Sequence, residues 1–146
     1  RIQRDILNYP DVEYTIIALG TNDFLQPATL QAPKAERCSA EDFVEGMITL
    51  TDALKKNNIK PIVFNILNFG ESVDSRPEKE ALVTKTNQLL FENREHFHGF
   101  YDQASLCVNP EKPTCSKKEY LGGDNVHPNK KGGKLVADNI PLEWFN

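Results

Sequence analysis

Apolar positions in this chain fall into two patterns, and each predicts a different kind of element. Continuous β-branched and apolar runs occur at Glu13-Tyr14-Thr15-Ile16-Ile17-Ala18-Leu19-Gly20 and at Lys60-Pro61-Ile62-Val63-Phe64-Asn65-Ile66-Leu67. Runs without alternation suit strands buried on both faces, as in a parallel sheet. Pro61 fits at a strand start, where no ladder donor is needed. Gly99-Phe100-Tyr101-Asp102 predicts a third, shorter strand. Helical spacing appears between the runs. Phe43, Met47, Leu50 and Leu54 recur on one face, Ser39 stands as N-cap with Asp42 three positions on, and Asn57-Asn58 ends the helix. A second helix starts at Pro77, carries Leu82, Leu89 and Leu90 inward, and runs to about His96. Residues 24–38 and 68–76 read as loops, and 108–129 as a long polar loop. A last helix spans Lys131 to about Asn139 with Leu135 and Val136 inward, and Pro141 stops it.

The order strand, helix, strand, helix, strand, loop, helix predicts one α/β domain over residues 1–146, a three-layer α/β/α arrangement around a parallel sheet. Sites in such sheets form at the carboxyl ends of the strands. Gly20-Thr21-Asn22-Asp23, Asn68-Phe69-Gly70 and the loop around His127 each follow a strand, so all three are expected on one edge.

Composition narrows the function classes. The 146 residues suffice for one real core, and 17 Lys+Arg against 21 Asp+Glu argue against nucleic acid as the partner. No run reaches the ~18 apolar residues of a membrane span. The chain begins at Arg1 and not at Met, so the compartment stays open and secretion is compatible. Cys107 and Cys115 flank a Pro-rich loop and could close a disulfide with Cys38 left over, or all three could be thiols. No Cys-x-x-Cys or His-x-x-x-His spacing occurs, so a zinc site is not expected, and no metal or cofactor is assigned.

The densest chemistry lies at Gly122-Gly123-Asp124-Asn125-Val126-His127-Pro128. An Asp-x-x-His-Pro loop can hold one imidazole nitrogen against a carboxylate and leave the other free as a general base. Asn22 can offer an amide to an oxyanion. Singly, each residue also has a plain structural role: Asp124 as a turn residue, His127 on the surface, Asn22 and Asp23 as turn caps. His96 and His98 flank a helix end, and Tyr9, Tyr14, Tyr101, Tyr120 and Trp144 read as packing residues.

Together, Gly20-Thr21-Asn22-Asp23 and Asp124-Asn125-Val126-His127-Pro128 resemble the Gly-x-Asn-Asp and Asp-x-x-His-Pro blocks of the SGNH (GDSL-type) esterases and lipases, in the family's order and topology. The resemblance implies a flavodoxin-like fold, ester hydrolysis, His127 as base, Asp124 as its orienting carboxylate and Asn22 as an oxyanion donor. It implies a small-molecule or carbohydrate ester as substrate. The family's Gly-Asp-Ser block is not in the chain, so the chain looks like the C-terminal two-thirds of such a domain, with the N-terminal strands lacking and the serine elsewhere. Gly70-Glu71-Ser72 mimics that block superficially, after the wrong strand. The alternative function is a non-catalytic SGNH-like module that binds a glycan or protein. Without the family's nucleophile strand, Tyr14, Ile16, Ile17 and Leu19 are expected on an open sheet edge, to be covered by an N-terminal segment or a second chain.

Overall fold

A computed structural model describes residues 2–34 and 37–146. Three parallel strands, β1 (Tyr14–Ile17), β2 (Lys60–Phe64) and β3 (Gly99–Tyr101), form a sheet in the order β1-β2-β3. The register sets Ile16 beside Ile62 and Ile17 beside Val63, and Val63 in turn beside Phe100. Alternation along β2 then divides the core. Val63 and Ile17 face helices α2 (Ala40–Lys55) and α3 (Pro77–Glu92), with Leu54 and Leu90 fully buried against them. Ile62 and Phe64 join Tyr101 on the other face, under Val136 of α5 (Lys130–Asp138) and the C-terminal Trp144 and Phe145. Burial of side chains such as Leu54 or Leu90 stabilises by roughly 1.5–3 kcal/mol each. The expected α/β arrangement with a parallel sheet is the one observed, and each predicted strand overlaps an observed one.

The helix stripes differ from expectation. In α2 the buried residues are Ala40, Val44, Met47, Thr51 and Leu54, and in α3 they are Lys79, Val83, Thr86 and Leu90. Threonines enter the stripe because their hydroxyls return to their own helix: Thr51 Oγ1 donates to the Ile48 carbonyl at 3.0 Å and Thr86 Oγ1 to the Leu82 carbonyl at 2.8 Å. Phe43 is displaced to the margin, where its ring packs 5.3 Å from that of Phe24. The Ser39 cap is observed, its side chain accepting from the Asp42 amide at 3.0 Å.

Two short helices were not expected from the pattern, α1 (Thr21–Leu25) and α4 (Gln103–Cys107). The supposed loop 108–129 also contains an antiparallel pair, β4 (Val108–Asn109) with β5 (Lys112–Ser116). Cys107 just before β4 and Cys115 within β5 are buried free thiols, and burial pushes the Cys107 thiol above its usual range. Of the aromatic residues expected to pack, Tyr9 is 63% exposed and does not. His98 donates from Nε2 to the Trp144 carbonyl at 2.8 Å, a tie between β3 and the C-terminus.

The β1 edge is partly covered. Ile17 is buried and the Tyr14 ring packs 5.2 Å from Phe145, whereas Ile16 is 47% and Leu19 57% exposed. No described residue pairs with the outer side of β1. Beside it, Leu19, Cys38, Phe43, Met47 and Leu50 line a mostly apolar cavity of about 490 Å³. The hydroxyl of Thr15 on β1 is buried without a hydrogen-bond partner among the described residues.

Candidate active site

The loop before α5 is shaped almost entirely by its own groups. Asp124 Oδ1 accepts the amides of Val126 at 3.0 Å and His127 at 3.1 Å. Asp124 Oδ2 accepts from His127 Nδ1 at 2.6 Å. One carboxylate therefore fixes both the backbone turn and the imidazole. The bond to the carboxylate places the ring proton on Nδ1 and leaves Nε2 with a free lone pair. The imidazole and these two amides, in that order of strength with His127 first, hold the Asp124 carboxyl well below the usual carboxylate range. Its contribution to the loop is thus present above the ordinary carboxylate pKa and is lost only as pH falls through the lowered value.

Flanking bonds close the loop. Gly122 N–H donates to the His127 carbonyl at 2.8 Å, and the Asn125 amide to the Gly122 carbonyl at 3.1 Å. Asn129 caps α5 through Oδ1, which accepts from Lys131 and Gly132, while its Nδ2 donates to the carbonyls of Glu119 and Leu121. A Cβ on Gly132 would lie 2.1 Å from the Tyr120 carbonyl oxygen, so only glycine lets α5 start this close to the loop. The side chain of His127 is 79% exposed.

The Asn22 segment is placed differently. Gly20 adopts φ 113°, a left-handed conformation, and turns the chain from β1 into α1. A Cβ there would meet Ile66 Cδ1 at 2.6 Å and Phe43 Cζ at 2.8 Å. Phe24 and Leu25 are buried at the far end of α1, packed with Ile66, Phe69 and Val83. Asn22 is exposed in the first turn, and its side-chain amide makes no hydrogen bond among the described residues. Asp23 is likewise exposed and lines the apolar cavity beside β1.

Segments from three strand ends converge, as the topology requires. A cavity of about 380 Å³ is lined by Leu25 and Gln26 at the end of α1, by Glu71 to Asp74, and by Gly123 to His127. Asp124 and His127 are brought into direct contact there; Asn22 lies outside the lining, one helical turn before Leu25. Glu71 was not anticipated from sequence. Its carboxylate accepts from Lys112 and Lys118 at 2.9 Å each, which lowers its pKa, and its carbonyl accepts from Asn125 Nδ2 at 3.1 Å. Asn125 sits at φ 56°, and an asparagine after Gly-Gly-Asp is the one local signal for that left-handed position.

A second cavity of about 330 Å³, at the ends of β2 and β3, is rich in polar side chains that already serve one another. Asn65 Nδ2 donates to Asp102 Oδ1 at 2.6 Å, Ser105 Oγ to Asp102 Oδ2 at 2.6 Å, and Asn87 bonds both backbone groups of Ile66. The His127 cavity instead offers an imidazole tied by one nitrogen to a carboxylate, which is the stronger chemical feature. Among the described residues no three His, Cys, Asp or Glu side chains converge to hold a metal, and no helix is long and apolar enough to cross a membrane.

Comparison with known proteins agrees with this architecture. Residues 1–140 match the profile of the GDSL-like lipase/acylhydrolase family. The fold superposes on a candidate acylhydrolase from Bacteroides fragilis with a TM-score of 0.74 at 18% identity, covering 99% of this chain and 66% of that one. A GDSL-like lipase from Bacteroides thetaiotaomicron gives a TM-score of 0.71 at 17% identity, covering 99% and 67%. At these identities the likeness is one of fold. The chain spans about two thirds of the length of both structures. No curated protein matches its sequence.

Proposed function

The chain belongs to the GDSL-like lipase/acylhydrolase family, and from that premise we propose that it carries the base, the orienting carboxylate and one oxyanion donor of a serine ester hydrolase. The single observation that supports this reading best is the 2.6 Å bond from His127 Nδ1 to Asp124 Oδ2, on an imidazole that is otherwise largely exposed. In this mechanism Nε2 takes the proton from a serine hydroxyl as its oxygen bonds to the ester carbonyl carbon. The carbonyl oxygen becomes an alkoxide, to which the Asn22 amide donates. Collapse breaks the bond to the leaving alcohol, which takes the proton from His127. Water, deprotonated by the same nitrogen, then cleaves the acyl-serine and restores both groups. Asp124 remains an anion throughout and balances the imidazolium.

We place the nucleophile outside residues 1–146. Four of the five serines in the chain are engaged elsewhere: Ser39 caps α2, Ser75 donates to Glu80, Ser105 to Asp102 and Ser116 to the Asn68 carbonyl. Ser72 lines the His127 cavity and is the rival within the chain. It lies in a turn, with its amide on the Phe69 carbonyl, and not at a strand-to-helix elbow. The segment carrying the serine would pair with the free side of β1 and cover Ile16 and Leu19. It comes from the same domain or from a second chain. The substrate is a small-molecule or carbohydrate ester. Replacement of His127 tests the reading: in the assembled enzyme His127→Ala should lower kcat by about 10⁴-fold or more with the fold intact. Near-parent turnover of a p-nitrophenyl ester by the folded variant would overturn it.

A further inference from the structure

Lys79 occupies an unfavourable place for a cation. It lies in the first turn of α3, where the helix dipole disfavours positive charge, and it is only 3% exposed. Burial pushes its ammonium below the usual lysine range, with the nearby Asp74 carboxylate opposing that effect. A solvated alternative would be available to any side chain this long. What holds it inside is a pair of backbone carbonyls: Nζ donates to Leu25 O at 2.5 Å and to Asp74 O at 3.1 Å.

Those two carbonyls belong to two different walls of the His127 cavity. Leu25 is the last residue of α1, its carbonyl accepts no backbone amide among the described residues, and a cation suits that end. Asp74 ends the segment whose Glu71 carbonyl accepts from Asn125 in the Asp124–His127 loop. A path of hydrogen bonds therefore runs from the helix that carries Asn22, through the Lys79 ammonium, to the segment that anchors the base.

Resting on the esterase reading above, we propose that Lys79 is a positioning residue that sets the Asn22 helix relative to the Asp124–His127 loop. It touches neither substrate nor reacting atoms. Removing its donors frees α1 from the 71–74 segment, so the oxyanion donor and the base lose their mutual placement. Misplacement on the scale of 1 Å costs catalysis about 10²-fold, so a loss of roughly 10- to 100-fold in kcat is expected, with KM within about twofold.

The test compares Lys79→Met with Leu90→Ala in the assembled, active enzyme. Leu90 lies on the same helix, fully buried in the core of the α2–α3 face and away from the cavity, so it reports the cost of destabilising α3 alone. Lys79→Met should lower kcat at unchanged KM and speed amide exchange in both 21–27 and 70–75. Leu90→Ala, assayed well below its Tm, should do neither. Should Lys79→Met fail to fold, Lys79→Gln, whose shorter amide cannot span both carbonyls, should show the same fall in kcat. Equal kcat for the Lys79 and Leu90 variants, an effect confined to KM, or a Lys79→Gln enzyme with parent kcat would overturn the proposal. Parent-level turnover by His127→Ala in the same assay would instead overturn the esterase reading, and the exchange measurement would still judge the Lys79 tie.

Discussion

Residues 122–129 hold their shape through bonds among themselves and their immediate flanks, whereas residues 18–26 are shaped by distant chain. In the first region Asp124 alone accepts two amides and the imidazole, and Gly122 closes the turn onto His127. In the second, Gly20 is wedged against Ile66 and Phe43, Phe24 packs on Phe43, and the Leu25 carbonyl is held by Lys79. The proposed base half of the site is therefore a local structure that tertiary contacts only dock. The proposed oxyanion half is a tertiary structure, with the exposed Asn22 amide at its end. Substitutions in the two regions should differ accordingly: chemistry should fail first in one, and placement or stability first in the other.

The largest effect after loss of His127 itself is expected at Asp124. In Asp124→Asn the side-chain oxygen can still accept the Val126 and His127 amides, so the turn survives. The new NH₂ faces Nδ1 and forces the imidazole into the wrong tautomer. A loss of kcat on the order of 10⁴-fold with an unchanged Tm is expected, measured by ester turnover and thermal melting. A variant that loses Tm as much as activity would mean the loop is not the self-sufficient unit described.

Asn22→Ala should come next. Its amide is exposed and makes no hydrogen bond among the described residues, so in the proposed mechanism its donor acts only as charge develops. A fall in kcat of about 10²–10³-fold with little change in KM is the expected outcome. A change confined to KM would make Asn22 a contact to bound substrate and not to the transition state. The smallest chemical but clearest structural effect belongs to Gly20→Ala. Left-handed backbone alone costs a β-carbon residue about 1–3 kcal/mol, before the overlap with Ile66 and Phe43. Tm should fall, and kcat should fall less than in Asn22→Ala once the protein is held folded. An unchanged Tm would mean that α1 is not fixed by this turn.

The same contrast accounts for what could be read from sequence. The Asp124–His127 pair was legible because both residues act within three positions of each other, where spacing alone dictates contact. β1 and β2 were legible because β-branched runs bounded by Gly, Pro and Asn have few alternatives, and β3 because Gly99 opens a short aromatic run. α1 was not, since Thr-Asn-Asp at its start has no helical period, and it forms because Gly20 can adopt φ 113° under Ile66. The β4–β5 hairpin was hidden by Pro110 and Pro113, which read as loop residues although the strands are edge pieces that tolerate them. Glu71 and Lys79 carry no sequence signal for their roles, because nothing local tells a lysine that finds two carbonyls from one that finds water.

The placement of the nucleophile is the claim on which the functional account turns, and covalent labelling tests it most directly. The active enzyme should be treated with a fluorophosphonate, which esterifies an activated serine, and the modified peptide located by mass spectrometry. The account predicts one label on a serine outside residues 1–146, abolished in His127→Ala because the base no longer activates it. A label on Ser72, or labelling that persists undiminished without His127, would contradict it.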